Sequence, residues 1–405
     1  MQIVVINDFA HVEGGASQVA IASAIGLAQR GHAVTFLAAV GPADAGLRDS
    51  AVRVELTGQH AIATDPSRVR AIWQGLWNPT AARRLAAILD AVGNQDTVVH
   101  LHGWTKALSS SVVREVLARR IPIVCTLNDY FTACPNGGFF DYSQNDICTR
   151  LPLGLSCIAT HCDKRGYVQK LWRVLRQVIQ QRAGRIPCGI RHFIQVSQFS
   201  RTVLQPVLPS HATFHALPNA IAVERQDRVC AAGNSAYVMV GRLDPEKGAA
   251  VFADAARQLD CEVVFVGDGP LRKDVVARCP RARVTGWSLH HQVIQELRTA
   301  RAIVFPSLWY EAQPLAVREA AAMGIPAIVS DRCAARDDVT DGVTGLLFRG
   351  GDREDLRQKL RRLSDDRLVE SLGAAAYDAY WNNPPSLARH VDRLEEIYGS
   401  ILRSR

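Results

Sequence analysis

No run of about 18 apolar residues occurs in the 405-residue chain, so no segment predicts a membrane-spanning helix. No basic leader precedes the first apolar stretch either. Met1-Gln-Ile-Val-Val-Ile-Asn-Asp reads as a first β-strand and not as a signal peptide, which predicts a cytoplasmic protein. No Cys-x-x-Cys knuckle occurs among the ten cysteines, and six of them lie scattered among apolar neighbours. Cys125, Cys261 and Cys333 fit small reduced core positions. No Asp-x-Asp metal-binding pair stands in a convincing position; Asn128-Asp129 is not one. Between Asp163 and Glu224 there is no acidic residue at all.

What is present is a balanced globular composition, 48% apolar and 21% charged. That excludes a disordered polymer, a coiled coil and a collagen-like fibre. The length suits two domains, each large enough for its own core. A formal net charge of +8 implies attraction to something anionic and no more than that.

Short β-branched runs alternate with amphipathic helical patterns from end to end. Strands are expected at 3–6, 33–39, 52–55, 98–101, 123–127 and 193–196, then at 237–240, 262–266, 283–285, 303–305 and 327–330. Continuous apolar strands separated by helices predict parallel sheets covered on both faces, an α/β class. Two tandem units make two Rossmann-like, doubly wound domains facing a central cleft. The expected boundaries are an N-terminal domain over 1–218, a linker over 219–235, a second domain over 236–385 and a last helix over 386–405. That last helix is expected to pack back on the first domain. Ligands in such sheets sit at the carboxyl ends of the strands.

Three turns at those ends carry chemistry. Gly241-Arg-Leu-Asp-Pro-Glu-Lys-Gly248 places Arg242 and Lys247 around a strand–helix turn, a guanidinium fork and an ammonium suited to a diphosphate. Val266-Gly-Asp-Gly-Pro270 offers two glycines, Gly267 and Gly269, for close backbone approach. In Phe305–Pro326 a loop carries Glu311, Pro314 opens a helix, and Glu319 follows in its second turn. The helix start, with free amides at Leu315 and Ala316, favours negative charge or sugar oxygens. Two carboxylates at one cleft can accept hydrogen bonds from several hydroxyls.

The order Gly14-Gly15, His102, Ser197…Arg201, Pro218-Asn219, Gly241–Gly248, Gly267-Asp-Gly269, Glu311-x7-Glu319 and Thr340-Asp-Gly-Val-Thr-Gly345 resembles the retaining family 4 (group 1) glycosyltransferases with the GT-B fold. The resemblance runs over nearly the whole chain. It implies a hexosyltransferase in which Arg242 and Lys247 hold the donor diphosphate, Glu319 the ribose hydroxyls and Glu311 the transferred sugar. Gly14 and Gly15 would let the backbone approach the donor, and His102 would lie beside the sugar. No cofactor is required on this reading; the donor is a nucleotide-diphosphate sugar, with UDP- or GDP-sugars expected. Fixed cations stabilise the charge that builds on the departing phosphate. Where many relatives carry Gly-Phe-Gly after the first glutamate, this chain has Ala312-Gln-Pro-Leu315, which bears on the identity of the sugar.

Two further segments stand out. Residues 166–182 place Val168, Leu171, Trp172, Leu175, Val178 and Ile179 at helical spacing, opposite Lys170, Arg173 and Arg176. Such a basic amphipathic helix lies either on an anionic membrane surface or with its apolar face in the core. The resemblance favours the membrane, with a lipid-linked glycan as acceptor at the cytoplasmic face and a place in surface polysaccharide assembly. Nucleic acid is not expected, since aromatic interleaving and any recognised module are missing. The insert at 128–165 carries Cys134, Cys148, Cys157 and Cys162, read as reduced thiols with structural zinc as the alternative. The competing functions are transfer to a small soluble acceptor, epimerisation, and a non-catalytic nucleotide-sugar-binding protein.

Overall fold

The computed structural model describes residues 1–221 and 223–404. Ala222, within the expected linker, and Arg405, at the end of the expected last helix, lie outside the described residues. Contacts divide the chain into two units. One comprises residues 1–137, 150–220 and 385–405, the other residues 138–149 and 221–384.

In chain order the strands are β1 (Gln2–Phe9), β2 (Ala33–Val40), β3 (Arg53–Leu56), β4 (Thr97–Leu101), β5 (Ile123–Thr126), β6 (Phe140–Asp141), β7 (Asp146–Ile147), β8 (His192–Gln195) and β9 (Thr213–Ala216). There follow β10 (Ala236–Val240), β11 (Glu262–Val266), β12 (Arg283–Val284), β13 (Ala300–Phe305), β14 (Ala327–Ser330) and β15 (Gly345–Phe348). The first unit builds a parallel sheet in the order β3-β2-β1-β4-β5-β8-β9, and the second builds β12-β11-β10-β13-β14-β15. Each follows the Rossmann order, in which the succession of strands across the sheet reverses between its first and fourth strands. The crevice at such a reversal opens at the carboxyl ends of β1 and β4, and of β10 and β13.

Local sequence explains the elements. Strand β4 (Thr-Val-Val-His-Leu) is buried throughout, because helices cover both faces of a parallel sheet. The helix Pro79–Val92 opens with proline in its first turn, while the Asn78 side chain accepts from the Ala81 N–H at 3.1 Å. The last helix, Leu387–Arg403, is capped by Ser386. Its stripe of Val391, Leu394, Ile397, Tyr398 and Ile401 is buried in the same core as β1, β2 and β4, so this helix belongs to the first unit.

Two segments depart from the sequence reading. The 128–165 insert was expected to stay with the first domain, yet its hairpin β6–β7 joins the second unit. There the Trp309 ring lies where a Gly138 Cβ would stand, 2.6 Å away, and the Tyr142 hydroxyl donates to Glu246 Oε1 at 3.2 Å. The second departure is the helix Tyr167–Arg182, which is turned over. Its polar Lys170, Arg176, Gln177 and Gln180 are buried, whereas Val168, Leu171 and Leu175 are exposed. Arg176 can be buried because the carbonyls of Thr105 and Pro135 accept from it and the rings of Phe131 and Trp172 cover its guanidinium.

Candidate functional site

In the second unit, the turn after β10 is laced to the turn after β11. The Gly241 N–H donates to the Val266 carbonyl at 3.0 Å, and the Leu243 N–H to the Asp268 carbonyl at 2.9 Å. A Cβ on Gly267 (φ +151°) would stand 2.0 Å from the Gly241 carbonyl oxygen, so no side chain fits there. Gly248 (φ +74°) meets the same limit against the Pro306 carbonyl oxygen, again at 2.0 Å. The 241–248 turn is thereby pressed against the exit of β13, at the switch point of the sheet.

That packing brings Lys247 to Glu311. The ammonium donates to Glu311 Oε1 at 2.6 Å, and the same oxygen accepts from Trp309 Nε1 at 2.8 Å and Ser307 Oγ at 3.0 Å. Lys247 also lies over the Trp309 ring, 5.1 Å from its centroid. Burial pushes the Glu311 carboxyl up, but the Lys247 charge and the three hydrogen bonds outweigh it and hold the group below its ordinary range. Glu311 is therefore an anion at neutral pH.

Arg242, on the same turn as Lys247, has about half its side chain exposed and is paired to Asp244 at 2.5 Å and within 3.8 Å of Glu246. Glu246 is buried, and its backbone carbonyl accepts from the Leu308 N–H at 2.9 Å, which ties the cationic turn to the Glu311 loop. Glu319 stands on the helix Leu315–Ala322. It is buried, 3.9 Å from His290, and burial raises its pKa while His290 lowers it. Gly269 packs against the Leu243 carbonyl, 2.7 Å from where its Cβ would lie, and Leu315 opens the helix that carries Glu319.

In the first unit, Gly14 and Gly15 form the exposed start of the helix Gly15–Gln29, just after β1. His102 follows β4, its backbone N–H donating to the Ile6 carbonyl at 2.9 Å, so it too lies at a switch point. Its imidazole is buried and stacked 3.9 Å from His100, and neither ring nitrogen has a hydrogen-bond partner. Burial, then the His390 charge, depresses its pKa to about 3. The ring is thus neutral, with one nitrogen able to accept and the other to donate.

Sequence reasoning missed Asp8 and Asp129, two further acids at the same strand ends. Asp8 accepts from the backbone N–H groups of Lys106, Ala107 and Leu108 and so shapes the loop beyond His102. Asp129 is raised to about 6 by burial and by Asp8, against the Phe131 N–H, Lys106 and Arg176, which lower it. Ser307 and Trp309 were missed as well, although their places four and two residues before Glu311 were a usable signal. Cys134, Cys157 and Cys162 are buried in the first unit, and Cys148 lies in the second.

Two Rossmann-ordered units with these groups at their switch points define the GT-B class. The chain belongs to Glycosyltransferase Family 4: that family's model matches residues 13–225, and the model for Glycosyl transferases group 1 matches residues 234–366. Among curated relatives, an Escherichia coli UDP-Gal:alpha-D-GlcNAc-diphosphoundecaprenol alpha-1,3-galactosyltransferase is 29% identical over 40% of this chain and 44% of its own length. An alpha-D-kanosaminyltransferase of Streptomyces kanamyceticus is 31% identical over 40% and 45% respectively. These matches span less than half of either relative. Among solved structures, Anabaena HepE, crystallised with UDP, shares the fold at TM-score 0.68 and 15% identity, covering 99% of this chain and 100% of its own. Sucrose-phosphate synthase from Thermosynechococcus elongatus does so at TM-score 0.72 and 16% identity, covering 100% of each chain.

Proposed function

We propose that the chain is a retaining hexosyltransferase. It moves a hexose from a UDP- or GDP-sugar to a glycan acceptor on a lipid carrier, in surface polysaccharide assembly. The observation that carries this reading is the Lys247–Glu311 pair held at the 241–248 turn, with Arg242 half exposed on the same turn. Carbon–oxygen cleavage at the anomeric carbon leaves charge on the diphosphate. Arg242 and Lys247 are fixed cations where that charge develops, a role worth about 10²–10³ in rate per donor removed. Glu311, kept anionic and locked by three donors, accepts from sugar hydroxyls, and Glu319 accepts from the ribose. His102, neutral and with both nitrogens free, hydrogen-bonds the sugar without adding charge. The departing phosphate serves as base for the incoming hydroxyl, so no side-chain nucleophile is assigned. The E. coli relative's printed acceptor, a diphosphoundecaprenol-linked sugar, supports a lipid-linked acceptor here.

The membrane part of this proposal rests on a different surface from the one the sequence suggested. Trp172 packs inward against Gly75, and Arg173 pairs with Asp163 at 2.9 Å. The outward apolar residues are Val168, Leu171 and Leu175, with Val69, Ile72 and Trp73 on the adjoining helix Arg68–Leu76 and Leu155 nearby. Leu155 is 90% exposed, Val168 82% and Trp73 67%, more than a solvated face needs. No acidic residue lies in 66–89 or 164–223, and both stretches carry arginines, which suits anionic lipid.

The test is incubation with UDP- and GDP-hexoses and a polyprenyl-diphosphate-linked sugar. Release of nucleoside diphosphate only with acceptor, and a product with the donor's anomeric configuration by NMR, are expected. An inverted product removes the mechanism. Sugar isomerised without acceptor means epimerisation, and turnover on soluble glycosides alone removes the lipid carrier. Co-sedimentation with phosphatidylglycerol vesicles should fall about tenfold or more in Trp73→Glu/Val168→Glu.

A further inference from the structure

In the first unit, Lys170 is buried to 1% exposure in the helix Tyr167–Arg182. Its Nζ lies 3.1 Å from Cys162 Sγ and 3.5 Å from Cys157 Sγ, and Cys134 also bears on its charge. Apart from burial, the groups that bear most on its charge are these three sulfurs. The neighbouring acid, Asp163, is engaged by Arg173 at 2.9 Å and by the Arg165 N–H at 2.8 Å. A buried ammonium is costly unless an anion faces it, and the atoms that accept from this one are the Cys162 and Cys157 sulfurs. Cys162 Sγ takes a second donor, Asn136 Nδ2, at 3.1 Å. Two N–H donors converging on one sulfur stabilise the thiolate over the thiol. Among the described residues, no group of three or more His, Cys, Asp or Glu is arranged to hold a metal ion. The cation these sulfurs face is the chain's own ammonium.

We infer that Cys162 is a nucleophilic thiolate, activated by Lys170 and Asn136, that reacts with hydrogen peroxide and is resolved by Cys157. In the first step the thiolate attacks one peroxide oxygen. A sulfur–oxygen bond forms, the O–O bond breaks, and the departing hydroxide takes a proton from Lys170 to leave as water. The Cys157 thiol then attacks the sulfenic sulfur. A disulfide forms, the hydroxyl leaves, and the Cys157 proton completes a second water. Two thiols are oxidised and one peroxide is reduced. Lys170, having given up its proton, no longer needs a buried anion.

The experiment titrates the full chain with hydrogen peroxide and maps thiols by non-reducing tryptic mass spectrometry. Residues 151–164 form one tryptic peptide holding Cys157 and Cys162 and no other cysteine, so the disulfide shows as the loss of two hydrogens. Cys162 should oxidise about tenfold faster than Cys188 and Cys230, although those two are exposed and Cys162 is buried. Cys157→Ser should leave a sulfenic acid on Cys162 that dimedone traps. Lys170→Met should slow the reaction about tenfold, and Lys170→Arg should restore most of it. If Lys170→Met does not fold, Asn136→Leu is the second variant and should slow the reaction several-fold. Equal oxidation of all three cysteines, Cys162 rates unchanged in these variants, or stoichiometric zinc blocking the thiols of the purified protein would each overturn the inference.

Discussion

Lys247 and Glu311, 64 residues apart, meet at 2.6 Å because Gly248 lets the turn after β10 press against the exit of β13. The ammonium sets the charge state of the carboxylate, and Trp309 and Ser307 fix its orientation. On the proposed reading, this pair couples donor binding to sugar recognition within one unit.

Replacing Lys247 with alanine should lower kcat by about 10²–10³ and let the Glu311 pKa rise toward its buried value. Glu311→Ala should chiefly lower turnover, whereas Glu319→Ala should chiefly weaken nucleotide binding. Calorimetric titration with nucleoside diphosphate beside steady-state kinetics separates the two. Equal loss of affinity in both would contradict the separate roles.

Gly248→Ala should cost about 2 kcal/mol or more, because a Cβ there combines an unfavourable backbone with a clash against backbone. Chemical denaturation of the variant reads this directly. A change under about 0.5 kcal/mol would show that the 241–248 turn moves freely from the β13 loop.

His102 is neutral when folded and titrates near its ordinary 6.5 when unfolded, with a folded pKa of about 3. The unfolded chain therefore binds the extra proton between those values. The stability His102 contributes is complete above pH 6.5 and is lost as pH falls toward 3. His102→Phe should flatten the loss of stability over that window relative to wild type. The same variant should spare nucleotide affinity and depress transfer.

Asp129 shows the opposite sign. Its pKa, near 3.8 in the unfolded chain, rises to about 6 when folded, so its ionisation costs stability that grows between those values and persists above them. Asp129→Asn should raise stability at pH 7 by about 1–2 kcal/mol, allowing for partial exposure to solvent. Stability gained while transfer falls would mark an acid retained for the reaction. Unchanged stability would show that the burial is relieved in solution.

Both Rossmann units were legible because their strands are continuous apolar runs, from Ile3–Ile6 to Ala327–Ser330. Strand β9, Thr-Phe-His-Ala, lacks that signature and owes its place to pairing with β8. The glycines, Arg242, Lys247 and the two glutamates were legible as a motif order. The convergence of Ser307 and Trp309 on one Glu311 oxygen was not, since spacing does not show where side chains point. Nor did spacing reveal that the helix Tyr167–Arg182 buries its polar side. Carbonyls at Thr105 and Pro135 and the ring of Phe131, all distant in sequence, decide that.

The central claim is that Arg242 and Lys247 form a site for the diphosphate of a nucleotide sugar. Thermal melting with UDP, GDP, ADP and dTDP, in wild type and Arg242→Ala, tests it most directly. A diphosphate present at a hundred times its dissociation constant adds about 2.7 kcal/mol, a shift of a few degrees for units of this size. The expected result is a rise with UDP or GDP in wild type that Arg242→Ala abolishes. No shift with any of the four at millimolar concentration, or the same shift in both proteins, would contradict the account.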